Sequence, residues 1–169
     1  MKSTFAMLAG YNAFANARVY DAAGQLSDAE YRADRGAFFK SMHGTLNHLL
    51  VADRLWLRRF TGEGDAPNRL DAILFEEFLE LRAAREAEDA RITAYIDGLT
   101  DDHIAAKFRY STITNPREIE QPLGPALTHF FNHQTHHRGQ AHAILTGLGR
   151  EGPVLDLLAY QRATGVGMS

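Results

Sequence analysis

Apolar residues recur at helical spacing along four long stretches of the chain. This spacing predicts a first helix over about residues 3–25, a second over about 37–60, a third over about 71–97 and a fourth over about 123–146. Each predicted helix has one apolar face and one polar face. Four amphipathic helices of similar length predict an all-α fold, a four-helix bundle.

Shorter signals lie between and after these helices. The sequence SDAEY at 27–31 places a serine three residues before a glutamate, a capping box that opens a short helical segment. The stretch TGEGDAPN at 61–68 predicts a loop. Residues 107–122 break the helical pattern and predict an extended excursion with a short hairpin. A short C-terminal helix is predicted to begin at Pro153.

Length and composition narrow the class of protein. A chain of 169 residues is expected to form a single domain over residues 1–169 with a core of its own. It has no cysteine, which excludes disulfides, thiolate metal sites and a cysteine nucleophile, and which favours a cytoplasmic location. A net charge of −3 argues against nucleic-acid binding. No signal peptide or membrane-spanning apolar run is expected.

Five of the eight histidines lie in one stretch, HFFNHQTHHRGQAH at 129–142. On the predicted fourth helix, His137 falls within the apolar arc and His133 falls at its edge. Residues four apart on a helix are neighbours, so two imidazoles can converge there on one ion. His136 and His142 are predicted to be surface residues. Without a third ligand, the pair could equally be hydrogen-bonded interior histidines.

A third ligand would have to come from another helix, and the second helix offers candidates. Its helical wheel allows His43, His48 or Asp53 to face the pair. The chain has no HExxH sequence, which excludes the zincin type of metalloprotease. It also has no Glu-x-x-His, which excludes the di-iron carboxylate bundles.

Further polar residues fall on inward faces of the predicted helices. Asn12 and Asn16 are candidates for lining a substrate cavity above the metal, or else for a helix-to-helix hydrogen bond. Arg85 and Glu88 are predicted to form an ion pair at the margin of the third helix. Arg138 is interpreted as a structural partner within the chain or to a neighbouring subunit.

Taken together, these motifs resemble the DinB family over nearly the whole chain. The matching stretches are YNAFANARVY at 11–20, HGTLNHLLVADRLW at 43–56, NHQTHHRGQ at 132–140 and LTGLG at 145–149. The resemblance implies a four-helix bundle with a long crossover connection, a homodimer, and one divalent ion per chain held by three histidines from two helices. On this sequence the implied ligands are His48, His133 and His137.

The same resemblance gives roles to the remaining candidates. Asp53 and Trp56 also match the family pattern, Trp56 as a core residue and Asp53 as an inner polar group that orients a neighbour. From their positions in the sequence pattern, and not from the resemblance, His43 and His103 are expected at the surface or in loops. Members of the family include transferases that use low-molecular-weight thiols.

Three neutral imidazoles would leave an open position on the ion, an arrangement typical of catalytic zinc. Zinc and nickel both suit imidazole ligands. We therefore expect a metal-dependent enzyme, an S-transferase or a hydrolase, that activates a thiol or water for attack on a small electrophile. The alternative is a non-catalytic stress-response protein whose ion is structural.

Overall fold

The computed structural model describes residues 1–113 and 115–168, and in them the chain is mostly helical. Four helices of 20 to 25 residues make up most of the structure. In chain order the elements are α1 (Lys2–Ala23), α2 (Asp28–Arg32), α3 (Met42–Thr61), α4 (Phe78–Asp97), α5 (Asp101–Ala105), β1 (Lys107–Ser111), β2 (Glu118–Pro122), α6 (Leu123–Gly147) and α7 (Leu157–Thr164).

The four long helices, α1, α3, α4 and α6, form the predicted bundle. Helices α1 and α3 each pack against both α4 and α6, so α1 and α3 lie at opposite corners. One apolar cluster joins the start of α1 and α6 to the end of α3 and α4, and a second cluster joins their opposite ends. Helices α1 and α6 therefore run in one direction, and α3 and α4 run in the other.

The direction of the helices requires a long crossover connection, as the family resemblance implied. Because α3 and α4 are parallel neighbours, residues 62–77 must return along the bundle before α4 begins. The buried Asn47 side chain anchors this segment. Its Oδ1 accepts hydrogen bonds from the backbone N–H groups of Leu74, at 2.8 Å, and Phe75, at 3.1 Å. The crossover is thus fixed to α3 one residue before His48.

Several predicted elements are confirmed with nearly the predicted bounds. Helices α1 and α6 match the first and fourth predicted helices to within two residues. Ser27 and Glu30 form the predicted capping box at the start of α2. Strands β1 and β2 pair antiparallel, with Arg109 opposite Glu120, and confirm the hairpin.

Two of the predicted long helices begin later than expected. Helix α3 begins at Met42 rather than near residue 37, because the Ser41 hydroxyl accepts from the Gly44 N–H and caps the helix there. Helix α4 begins at Phe78 rather than near residue 71, because the contacts with Asn47 hold the preceding residues in the crossover.

The last helix and one short helix also differ from the prediction. Helix α7 begins at Leu157 rather than at Pro153, and the Leu155 carbonyl before it accepts a hydrogen bond from the Tyr11 hydroxyl at 2.6 Å. Helix α5 was not predicted. Its cap is formed by Thr100 and His103, which bond each other's backbone N–H groups.

A buried polar layer separates the two apolar clusters. Arg85 of α4 donates to the Asp53 carboxylate of α3 at 2.5 Å. Gln134 of α6 donates to the other oxygen of Asp53 and to the Leu49 carbonyl. Burial raises the pKa of Asp53, and the Arg85 guanidinium opposes that rise. These bonds connect α3 to α4 and α6 at mid-bundle.

None of the helices in the described residues combines the length and the apolar character that a membrane span requires.

We expect Asp53→Ala to lower the free energy of unfolding by about 3–5 kcal/mol, because it leaves Arg85 as a buried charge with one partner fewer. Urea denaturation monitored by circular dichroism measures this change. Asp71→Ala is the matched control. It breaks an exposed ion pair with Arg69, so it should leave the free energy of unfolding nearly unchanged. Equal effects of the two substitutions would contradict the role assigned to the polar layer.

Candidate metal centre

Three histidines from two antiparallel helices lie close together about midway along the bundle. His48 lies on α3, and His133 and His137 lie one turn apart on α6. One nitrogen of each ring lies within 4.8 Å of the corresponding nitrogens of the other two. The Nε2 atoms of His48 and His133 are 3.3 Å apart. Two ligands bound at about 2.1 Å in tetrahedral geometry lie about 3.4 Å apart, so the spacing fits one ion.

Hydrogen bonds at the opposite ring nitrogens leave two of the three histidines ready to bind. The His48 Nδ1–H donates to the Leu70 carbonyl of the crossover at 2.7 Å. The His137 Nδ1–H donates to Oε1 of Gln140 at 2.8 Å, while the Gln140 amide nitrogen donates to His136. With the proton held at Nδ1, the lone pair of each ring is at Nε2. His48 Nε2 then faces His133 Nε2 across a gap that a cation would fill.

Burial keeps these imidazoles neutral. It lowers the pKa of His48 to about 4, although the bond to the Leu70 carbonyl works in the opposite direction. Burial, followed by the neighbouring His137, lowers the pKa of His133 to about 3. Burial also lowers the pKa of His137. Neutral imidazole is the form that binds metal ions, so no proton has to be displaced near neutral pH.

Phe39, in the segment before α3, covers the cluster on one side. Its ring stacks on His48 with centroids 3.7 Å apart and an angle of 16° between the planes. The centroid of the Phe39 ring also lies 5.5 Å from the centroid of the His137 ring. The stacking fixes the plane of the His48 ring, which the Leu70 bond alone would leave free to tilt.

A cavity of about 610 Å³ opens beside the cluster, and His48 and His133 form part of its wall. Trp56 and His129 stand next to each other in the same wall, with ring centroids 5.1 Å apart. The remaining lining residues are Ala52, Leu55, Arg59, Leu70, Thr112, Ile113, Asn115, Arg117 and Ile119. An ion bound at the three histidines would therefore border a space large enough for a small molecule.

The two other ligand candidates on the second predicted helix lie elsewhere. His43 was expected at the surface, but it is buried, and its Nε2 donates to the Phe75 carbonyl at 3.1 Å. The crossover covers His43, and the wheel of α3 could not reveal this. Asp53 is fully buried in the polar layer. Its hydrogen bond with Gln134 positions that glutamine, which directly follows His133 on α6. Trp56 is a core residue, as predicted, and lines the cavity as well.

Asn12 and Asn16 lie in the polar layer and do not line the cavity beside the histidines. Both side chains donate to the Asp89 carboxylate of α4, and both accept from the Arg138 guanidinium of α6. They form the helix-to-helix hydrogen bonds that were the alternative interpretation. Arg138 is 2 % exposed and has its partners within the chain.

The predicted ion pair between Arg85 and Glu88 does not form. Arg85 contacts Asp53 and comes within 3.0 Å of Asp89, whereas Glu88 pairs with Arg54 of α3 and with Arg91. Arg85 and Glu88 are three residues apart on α4, but it is Asp53 and Asp89 that lie within 4.0 Å of the Arg85 guanidinium. Packing against α3 determines these pairs, and the sequence of α4 alone does not.

Several groups around the histidines escaped the sequence analysis. Leu70 contributes a backbone carbonyl, so its side chain carries no signal of that role. Phe39 follows a second phenylalanine and Arg59 follows a second arginine in the sequence, and no pattern distinguishes either residue from its neighbour. Gln140 had a usable signal, because a glutamine three residues after His137 lies on the same helix face.

The comparison with known proteins agrees with this architecture. The model of the DinB family matches residues 1–168. The chain belongs to the DinB family. It is 26 % identical over 158 residues to Protein DinB of Bacillus subtilis (strain 168), with 89 % of each chain covered. The crystal structure of a DinB-like protein from Bacillus cereus ATCC 10987 has a TM-score of 0.62 at 15 % identity and covers 83 % of this chain and 90 % of that one. That structure supports the fold alone.

We expect this DinB-family protein, as purified, to carry about one divalent ion per chain, and His133→Ala or His137→Ala to lose most of it. The reason is that two imidazoles bind a divalent ion much more weakly than three. Elemental analysis by mass spectrometry measures the content. His142→Ala and His103→Ala are controls outside the cluster and should keep the ion. Full occupancy in both cluster variants would contradict the assignment.

Metal affinity should depend only weakly on pH between 7.5 and 5.5. Three histidines with an ordinary pKa of about 6.5 would lose about 1000-fold in affinity over this range, because protons compete for each ring. The lowered pKa values of His48, His133 and His137 move that competition to lower pH, so we expect a loss of less than about tenfold. Competition against a chelator, corrected for its own protonation, measures the affinity, and a loss near 1000-fold would contradict the burial of the rings.

Proposed function

We propose that this DinB-family chain is a metal-dependent enzyme that brings an external thiol or water to a small electrophilic substrate. The observation that supports the proposal is the cavity of about 610 Å³ whose wall includes His48 and His133. A bound ion there would be reachable by a small molecule from the cavity. Zinc and nickel are the ions we propose, because both suit imidazole ligands.

The number of protein ligands favours a catalytic over a structural ion. Structural zinc sites are usually closed by four protein ligands, whereas catalytic sites keep one position open. Among the described residues, no fourth histidine or carboxylate joins His48, His133 and His137 within 4.8 Å. The bundle also has two apolar clusters and a hydrogen-bonded polar layer, so it has little need of a metal to hold it together.

The protein's own residues would hold the ion and shape the space around it. His48 and His137 keep their protons at Nδ1 through Leu70 and Gln140, which directs their lone pairs toward the ion. Leu55 and Ile119 contribute apolar surface to the wall of the cavity. When bound, a divalent ion lowers the pKa of a coordinated water or thiol toward neutrality and polarises carbonyl groups. Because the chain has no cysteine, any thiol must come from outside.

The proposal includes three further expectations from the sequence. They are a low-molecular-weight thiol as one substrate, a homodimer, and a cytoplasmic location. The first two rest on the family resemblance, and the third on the absence of cysteine. Light scattering after size-exclusion chromatography would measure the oligomeric state.

We expect metal-loaded protein to accelerate the attack of a small thiol on an epoxide, an activated halide or an enone. The assay compares metal-loaded protein, chelated protein and metal-treated His48→Ala on a panel of thiols and electrophiles, alongside a hydrolase panel. His142→Ala is the matched control and should keep full activity, since it lies outside the cluster.

The measured rates distinguish a transferase, a hydrolase and a protein with a non-catalytic ion. Rates that are equal in all three preparations across both panels would contradict an enzyme and favour the non-catalytic, structural ion. Hydrolysis without dependence on thiol would keep the metal-dependent enzyme and remove the transferase reaction.

A further inference from the structure

The cavity beside the three histidines has basic side chains in its wall. Two arginines, Arg59 and Arg117, form part of its wall, and none of the described residues that line it is acidic. The fixed charge of the cavity is therefore positive.

Arg59 is held rigidly in this wall by two aromatic rings. Its guanidinium lies over the ring of Trp56 at 4.6 Å and over the ring of Tyr110 at 4.9 Å. Its Nη2 donates to the Ser111 carbonyl at 3.1 Å. The contacts fix the plane of the guanidinium, and a fixed plane is what a planar oxyanion requires for recognition.

The same guanidinium has no anionic partner in the described part of the chain. Arg54, Arg85 and Arg91 of the same bundle each lie within 4.0 Å of a carboxylate, whereas no described carboxylate comes that close to Arg59. Among the described residues, Nη1 of Arg59 has no acceptor, and its Nε is buried without one. A partly buried guanidinium with unused N–H donors destabilises the protein unless an anion from outside the chain accepts hydrogen bonds from them.

We propose that this cavity binds a small organic acid, with Arg59 as the main anchor of its carboxylate and Arg117 as a second cationic contact. Trp56, Leu55 and Ile119 in the wall would accommodate an apolar body, which an inorganic anion lacks. His48 and His133 line the same cavity, so we treat this acid as a substrate, and only this step rests on the proposed function. Binding of the carboxylate requires no turnover.

The single tryptophan provides a direct test. Trp56 contacts Arg59, so an anion that binds there should change its fluorescence. Metal-loaded protein is titrated with mono- and dicarboxylic acids of two to six carbons, and calorimetry provides a second readout. We expect saturable binding of at least one acid, and none of the corresponding uncharged amide. Arg59→Gln should weaken this binding by at least about tenfold, the usual effect of losing a charge-assisted hydrogen bond.

Arg58→Gln is the matched control. It removes an equal charge from the neighbouring residue, which is exposed and does not line the cavity, so binding should be unchanged. Arg59→Gln is compared after its metal content and circular dichroism are shown to match the parent. Should that variant fail to fold, Arg117→Gln and the dependence of binding on ionic strength provide the test, and both are expected to show weaker binding.

Other outcomes would overturn the inference. These are no saturable binding across the acids, equal binding by Arg59→Gln and the parent, or tighter binding of inorganic phosphate than of any acid. Binding that disappears when the metal is removed by dialysis would place the carboxylate on the ion instead of on Arg59. A protein that binds the acid but catalyses no reaction would support the anion site and count against the proposed function, so the two failures can be distinguished.

Discussion

The Asp53 carboxylate, buried at mid-bundle, is the group on which the geometry of the three-histidine cluster depends. It accepts from Arg85 of α4 and from Gln134 of α6, so one side chain of α3 fixes the position of two neighbouring helices. Gln134 directly follows His133 in the chain. A shift of α6 along α3 would break the bond to Asp53 and would also separate His48 from His133. A buried ionic contact of this kind specifies one register among apolar faces that could slide.

The direction of the helices adds the second constraint. Since α3 and α4 are parallel neighbours, the crossover must return along the bundle, and it passes the start of α3. Asn47 holds its backbone, and its Leu70 carbonyl then accepts the Nδ1 proton of His48. The topology thus supplies the hydrogen bond that orients a ligand. The cavity lies next to this contact, with Leu70 in its wall.

The sequence could predict the features that are determined within a single helix. Periodicity located the four long helices, and the spacing of His133 and His137 placed them together on α6. Contacts between helices were harder to predict, because a helical wheel shows which face is apolar but not which helix lies opposite. Geometry alone therefore left three candidates for the third ligand, and the family resemblance selected His48. For the same reason Arg85 was paired with Glu88, and His43 was expected at the surface, although the crossover covers it.

We propose that His48, His133 and His137 hold one divalent ion that keeps a position open toward the cavity. X-ray absorption spectroscopy at the metal edge of the purified protein would identify the atoms bound to this ion. We expect three imidazole nitrogens at about 2.0–2.1 Å and one further light atom that an added thiol replaces with sulfur. A closed shell of four protein ligands that an added thiol leaves unchanged, or a metal without imidazole ligands, would contradict it.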